Sequence, residues 1–445
     1  MEQTLLELGL QFLDQGMNKI ITIKIKWINP IIVADNVSYD KKFSDNFVFL
    51  YSAINHENKN SKSYLSFYTK ELIKSDNFSE IEKKILNNEE EKYFGYLSYE
   101  LKNNIERFKE INKNYIKIDK LYFSSFHFNL EFNHDKKEII CKFSEDLKDK
   151  FHNFIKNIDK NINLDQKKLR IINLDSNFND QEYLRKINAI QNRIKNGDVY
   201  QANLTRKFFG KIKERKNYFD IFKSLMQISP GNYSSFLKFE DLHIISSSPE
   251  LFLDIDYNKV KSSPIKGTSP RSKNKMEDQK NLEYLQNSDK ERAENLMIVD
   301  LVRNDLSKNC QNNSVEVKNL FKILSFKKIY HMVSEIIGKK LPDRNVIDII
   351  KGCFPPGSMT GAPKIKSIEV CDELEKMERG VYAGAIGLVN KNICKLSVVI
   401  RTLIIFEDKF EFQSGGAITY NSDPEKELQE SKDKNKGIME LLEIK

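Results

Sequence analysis

Through the first third of the chain, apolar and polar positions alternate in short runs. Residues 46–53 and 64–68 read as brief strands, and 122–132, with aromatics at alternating positions, as a longer one. Phe94-Gly95-Tyr96-Leu97-Ser98-Tyr99-Glu100-Leu101 reads as an aromatic strand that turns into a helix. At the start, Leu5, Leu6, Leu8, Leu10, Phe12 and Leu13 crowd residues 1–16 with no basic n-region, which predicts a short helix rather than a signal peptide. Met17-Asn18-Lys19 offers an alternative beginning, so little rests on that helix.

The period lengthens after the charged stretch 156–168, which has the composition of a linker or insertion. Asn179 with Glu182 forms a capping-box pattern, Tyr183, Ile187, Ile190 and Ile194 make a helical stripe, and Gly197 closes it. A strand is expected over 198–204, and another over 243–256, interrupted at Ser246-Ser247-Ser248-Pro249-Glu250. Ser288 opens a second capped helix that carries Glu294 and Asp305; their spacing of about three turns puts both on one face, where solvated carboxylates are expected. A glycine loop, 354–364, leads into a helix with Pro363 in its first turn. Glu427 and Glu430 share one face of a last helix.

Length and composition change this picture only by exclusion. The chain has 445 residues and is 40% hydrophobic, enough for one large or two medium cores. No apolar run of about eighteen residues exists, so no membrane span is expected. Cys141, Cys310, Cys353, Cys371 and Cys394 are odd in number and far apart, without Cys-x-x-Cys. That argues against a disulfide framework or zinc site and for a reducing, cytoplasmic setting. The net charge of +8 comes from dispersed lysines, which supports no nucleic-acid surface but can help draw in a small dianion.

The candidate chemistry is local. In Ser262-Ser263-Pro264-Ile265-Lys266-Gly267-Thr268-Ser269-Pro270-Arg271 a single amine lies between two prolines and beside a glycine, residues that stiffen or sharply bend a backbone. Such a loop is either a strand exit with one more solvated lysine or a positioned nucleophile. Glu250 follows a proline and precedes Leu251-Phe252-Leu253; it is either an edge glutamate in water or a desolvated acid with a raised pKa. The loop around Gly357 and Gly361 does not meet the Walker spacing, yet free N–H groups at a helix start favour an anion.

Taken together these strings resemble one family. Pro-Ile-Lys-Gly-Thr-x-Pro-Arg, Ser-Ser-Pro-Glu, Arg-Ala-Glu-Asn-Leu-Met-Ile-Val-Asp-Leu-x-Arg-Asn-Asp, and Arg379-Gly380-Val381-Tyr382-Ala383-Gly384-Ala385-Ile386-Gly387 appear in the order found in the large subunit of aminodeoxychorismate synthase. The resemblance runs from about residue 179 to 436, with a weaker echo before it, and takes in the sister group, anthranilate synthase component I. At the position of Lys266 the anthranilate synthase branch usually has alanine. Near Gln201 the water-adding, isochorismate-forming relatives carry a lysine.

The resemblance implies an α+β fold, two large antiparallel sheets sandwiched and flanked by helices, with an amino-terminal domain over 17–165 and a chorismate-binding domain over 179–437. It implies that Lys266, Glu250 and His331 act on chorismate. Thr268, Ser358, Thr360, Gly361, Tyr382, Arg401, Gly415 and Gly416 would hold the substrate, and Glu294, Glu427 and Glu430 would hold Mg²⁺. The family usually has three glycines where this chain has Gly415-Gly416-Ala417, so Ala417 alters one backbone contact. The implied reaction is amination of chorismate at C4 to 4-amino-4-deoxychorismate, on the way to 4-aminobenzoate and folate. No nucleophilic-cysteine elbow of a glutaminase is visible, so ammonia is expected from a separate amidotransferase subunit, and removal of pyruvate is expected from another enzyme. The alternatives are anthranilate synthase component I, against which Lys266 and the lack of a Leu-Leu-Glu-Ser motif near Phe49-Leu50-Tyr51-Ser52 both speak, and a non-catalytic binder of chorismate or a partner.

Overall fold

The computed structural model describes residues 11–15, 20–52, 61–109, 113–159, 165–326 and 329–444. Its two large antiparallel ladders grow from the alternating segments. One runs through Glu138–Ser144, Leu121–Asn133, Lys62–Ser75, Asn46–Tyr51, Tyr233–Phe239, Leu242–Ser248, Thr402–Phe406, Lys409–Ile418 and Gln201–Lys211. The other runs through Tyr93–Leu97, Ala385–Val389, Ile393–Val398, Leu251–Asp256, Lys259–Ser263 and Ile329–Lys339. They are joined through Leu121–Asn133, which pairs along one edge with Lys62–Ser75 and along the other with both Tyr93–Leu97 and Glu138–Ser144. Hydrogen bonding is therefore continuous over 21 strands.

Three apolar layers follow. Val48, Tyr96, Phe126, Ile244, Ile386 and Ile404 fill the space between the ladders. Phe47, Phe67, Phe128, Phe154, Phe219 and Phe236 seal the outer face of the first ladder against helices Pro30–Tyr39 and Tyr218–Ile228. Val260, Ile298, Val302, Ile336 and Ile350 do so for the second, under Asp289–Ser307 and Val346–Cys353. The Asn179 capping box forms as its spacing predicts, with both bonds at 2.8 Å.

Four local expectations need correcting. Gln11–Gln15 is a strand against Ile20–Lys26, because an edge was free to receive it, while residues 1–10 and 16–19 lie outside the described part. The expected strand over 64–68 extends to Lys62–Ser75, since it has a partner on both sides. Pro363 caps rather than begins the helix Lys364–Glu375. Asp305 is buried rather than solvated, paired with Lys364 at 2.6 Å and Lys308 at 3.1 Å. Of the expected linker, residues 160–164 lie outside the described part.

Phe128 is fully buried and packs on Phe43, Phe67, Phe143 and Phe154. Phe128→Ala should cost about 3–5 kcal/mol, read as a lower urea midpoint at unchanged slope.

Candidate active site

The strands Lys259–Ser263 and Ile265–Pro270 meet at Pro264 and both pair with Ile329–Lys339. The pairing slips between Ile265 and Thr268, so Lys266 and Gly267 leave the ladder. Gly267 adopts φ +90°, and a Cβ there would lie 3.0 Å from Glu291 Oε2. The positive φ is what favours glycine there, since the Glu291 carboxylate is the tip of a flexible side chain. The Asn295 amide donates to the Lys266 carbonyl at 3.4 Å, and Ser334 donates to Asn295 at 2.5 Å, which ties the loop to helix Asp289–Ser307.

Lys266 Nζ donates to the Ser358 carbonyl at 3.4 Å. Lys266 as a whole is half-buried. Burial lowers its pKa, while Glu294 foremost, then Glu250 and Glu430, pull it back up. Glu250 lies between Leu242–Ser248 and Leu251–Asp256 and is 4% exposed, the desolvated alternative of its two readings. Burial pushes its carboxyl up to about 7, opposed by the Ser358 hydroxyl and then by Lys266. A carboxyl group of that pKa can hold a proton near neutrality and release it to a leaving oxygen.

His331 Nδ1 shares a 2.8 Å hydrogen bond with the Thr268 hydroxyl, and its Nε2 has no partner. Burial, reinforced by Arg401, brings its pKa down to about 3, so the ring is neutral and one nitrogen faces the interior unspent. Arg401 is held at φ +51°, in the left-handed region, with its carbonyl receiving the Ser247 N–H at 3.1 Å. Only burial acts on its guanidinium, which has no ion-pair partner among the described residues. Tyr382 is buried within the field of Glu250. The Thr360 hydroxyl donates back to Gly357, and Gly361 pairs with Ala202 at φ +145°, where a Cβ would overlap the Gln201 carbonyl at 2.2 Å. Gln201 is fully buried and both ends of its amide are without a partner.

Helices Asp289–Ser307 and Pro424–Met439 present the acidic set. Burial raises the pKa of Glu291, Glu294 and Glu427, and Lys434, 2.7 Å away, lowers that of Glu430. Glu294 Oε1 is buried without a hydrogen-bond partner, and a Cβ on Gly416 would lie 2.9 Å from Glu427 Oε2. Gly415 is similarly constrained, its carbonyl receiving Lys434 at 2.9 Å. The Lys290 ammonium stands 3.8 Å from Glu294 and 3.7 Å from Glu427. Burial works to lower its pKa, but those two carboxylates outweigh it. As the side chains stand, no three metal-binding groups among the described residues converge to hold an ion. The donors are all carboxylate oxygens, one of them orphaned, which fits a hard divalent cation.

The sequence reading missed Glu291, Lys290 and Lys434. Glu291 and Lys434 had a signal: each lies one helical turn from a predicted ligand, at i−3 from Glu294 and i+4 from Glu430. Lys290 is likewise one turn before Glu294, but an i,i+4 lysine beside a glutamate ordinarily means a solvated surface pair.

A family description for chorismate binding enzymes matches residues 38–440. The chain belongs to this family. Over 269 residues it is 40% identical to a probable chloroplastic aminodeoxychorismate synthase of Oryza sativa subsp. japonica, a match covering 59% of this chain and 30% of that protein. Over 284 residues it is 33% identical to anthranilate synthase component 1 of Aquifex aeolicus, covering 64% of this chain and 57% of the relative. The matched part thus spans less than two thirds of these relatives. The solved anthranilate synthase component I of Streptococcus pneumoniae superposes with a TM-score of 0.76 at 24% identity, covering 86% of this chain and 93% of the other, and confirms the α+β fold. No helix among the described residues is long and apolar enough to cross a membrane, and all five cysteines are free and buried.

With a carboxyl pKa of about 7, the proton-donating form of Glu250 is lost as pH rises through that value. The acid-dependent rate should fall by about tenfold per unit above it. Glu250→Gln should lose about 10²–10⁴-fold in kcat together with this alkaline limb, measured as kcat against pH.

Proposed function

We propose that the chain is the synthase subunit of a chorismate-aminating enzyme and that its product is 4-amino-4-deoxychorismate. The observation that carries this reading is Lys266: a single half-buried amine, within reach of the Ser358 carbonyl and in the electrostatic field of Glu294 and Glu250. Neutral when it reacts, it forms a bond to ring carbon C2 while the C4–oxygen bond breaks. Glu250 gives its proton to the departing hydroxyl, which leaves as water. Ammonia then bonds to C4, the C2–Lys266 bond breaks, and the amine of Lys266 is restored with the nitrogen left at C4.

The other residues bind and orient. Arg401, without an ion-pair partner among the described residues, suits the enolpyruvyl carboxylate, since a guanidinium meets two oxygens at once. Tyr382 would meet the same group, and His331 offers Nε2 towards the ring while Thr268 fixes its other nitrogen. The loop carrying Ser358, Thr360 and Gly361, with Gly415 and Gly416 opposite, lets backbone approach the substrate closely. Glu294, Glu427 and Glu430, with Glu291 beside them, would hold Mg²⁺; when bound it would neutralise the ring carboxylate and draw electron density towards it. The Lys290 ammonium would have to leave the gap between Glu294 and Glu427. Ammonia would come from a separate glutaminase subunit, and the enzyme would work in the cytoplasm, where buried free thiols persist.

Anthranilate synthase component I is the second reading, favoured by the Aquifex relative and opposed by the amine at 266. Chorismate, Mg²⁺ and ammonium, with and without an added aminodeoxychorismate lyase, separate the two. Lyase-dependent 4-aminobenzoate is expected; fluorescent anthranilate without lyase would establish the second reading. No turnover, even with a glutaminase partner, would leave a binder of chorismate. Lys266→Ala should form no aminodeoxychorismate above background, and an unchanged rate and product would remove the covalent step.

A further inference from the structure

Arg379 is used by none of these steps, yet it is among the most buried side chains in the molecule, 2% exposed. Each of its three guanidinium nitrogens donates a hydrogen bond. Nε and Nη2 donate to the two oxygens of Glu375 at 2.9 and 2.7 Å. Nη1 donates to the Met359 carbonyl at 2.8 Å, and Nη2 also donates to the Asn203 carbonyl at 2.7 Å. Glu375 in turn receives the Thr205 N–H at 2.9 Å, so the ion pair is itself bolted to the strand Gln201–Lys211.

Met359 lies between Ser358 and Thr360, and Asn203 lies two residues from Gln201. The peptide unit is planar, so fixing the Met359 carbonyl fixes the Thr360 N–H, which closes the turn on the Gly357 carbonyl at 3.2 Å. Asn203 N–H returns a bond to the Thr360 carbonyl at 2.8 Å. One cation therefore joins the glycine loop to the strand beneath it. The main chain of Arg379 is held from the amino-terminal half: its N–H donates to Glu100 Oε1 at 2.9 Å, and the Ser98 hydroxyl donates to Glu100 Oε2 at 2.7 Å. On the other side the Gln413 amide donates to the Arg379 carbonyl at 2.6 Å, and the guanidinium lies 4.6 Å over the Tyr99 ring.

We propose that Arg379 is the positioning residue of the glycine loop, setting Ser358 against Lys266 and Glu250 with Glu100 as its anchor in the amino-terminal half. The inference rests on reading that loop as part of the chorismate site. Two carbonyls and a bidentate carboxylate need a planar fork, and lysine, a point charge, cannot serve all of them.

The test is steady-state kinetics and direct chorismate binding for Arg379→Lys, with thermal unfolding alongside to establish that the variant is folded. Misplacing the loop should raise the chorismate KM and dissociation constant by about tenfold or more while kcat falls by less than about threefold. Millimolar guanidinium added to Arg379→Ala should recover part of that loss. A folded Arg379→Lys with parental KM and binding overturns the inference, as does a loss confined to kcat. Should Arg379→Lys not fold, Glu375→Gln, which keeps the side chain's shape and removes the anchoring charge, takes its place: a raised KM and dissociation constant support the inference, and parental values overturn it. Glu100→Gln should raise KM in the same direction, and a parental value there overturns the link to the amino-terminal half. If the parent itself binds no chorismate, the functional reading fails; if parent and variant bind it equally, only the role of Arg379 does.

Discussion

The site depends on charge held out of water. Lys266 and Glu250 are each pushed by burial towards their neutral forms, and each is restrained by the other's field. In bulk water the pair would be an ammonium and a carboxylate, useless as nucleophile and acid. Packing moves both towards reactive states, and the surrounding glutamates limit how far the lysine goes. Pro264, Gly267 and Asn295 keep the amine where that balance holds, and the loop under Ser358 completes it.

The acidic set shows the same logic with the opposite sign. Burial, with a lesser contribution from Glu430, raises the cost of ionising Glu291, Glu294 and Glu427, which Lys290 offsets, while Lys434 favours the charged form of Glu430. Under the proposed function a dication between the helices would displace ammonium groups, and affinity for metal and for carboxylate would then be linked through the same side chains.

How much was legible in the sequence follows from how local each signal was. The capped helices and the strands with strict alternation were readable because their determinants lie within a turn or two: Asn179 with Glu182, Ser288 with Glu291. The burial of Asp305 was not, since it depends on Lys364, remote in sequence and brought in by the glycine loop. Residues 11–15 became a strand because of a free edge that no local pattern announces. Lys266 and Glu250 stood out as strings, but their electrostatic contact arises from long-range pairing across the second ladder. Only part of the engagement of Arg379 was legible: Glu375 stands one helical turn before it, whereas the Met359 and Asn203 carbonyls carry no residue signature.

The strand Leu121–Asn133 belongs to both ladders. Neither half of the polypeptide can then behave as an exchangeable module. Trading the amino-terminal region for that of another family member would splice two curvatures along one ribbon, and any mismatch would travel through Tyr93–Leu97 to the strand that precedes Arg401. Divergence of the two halves is mechanically coupled, whatever their separate duties.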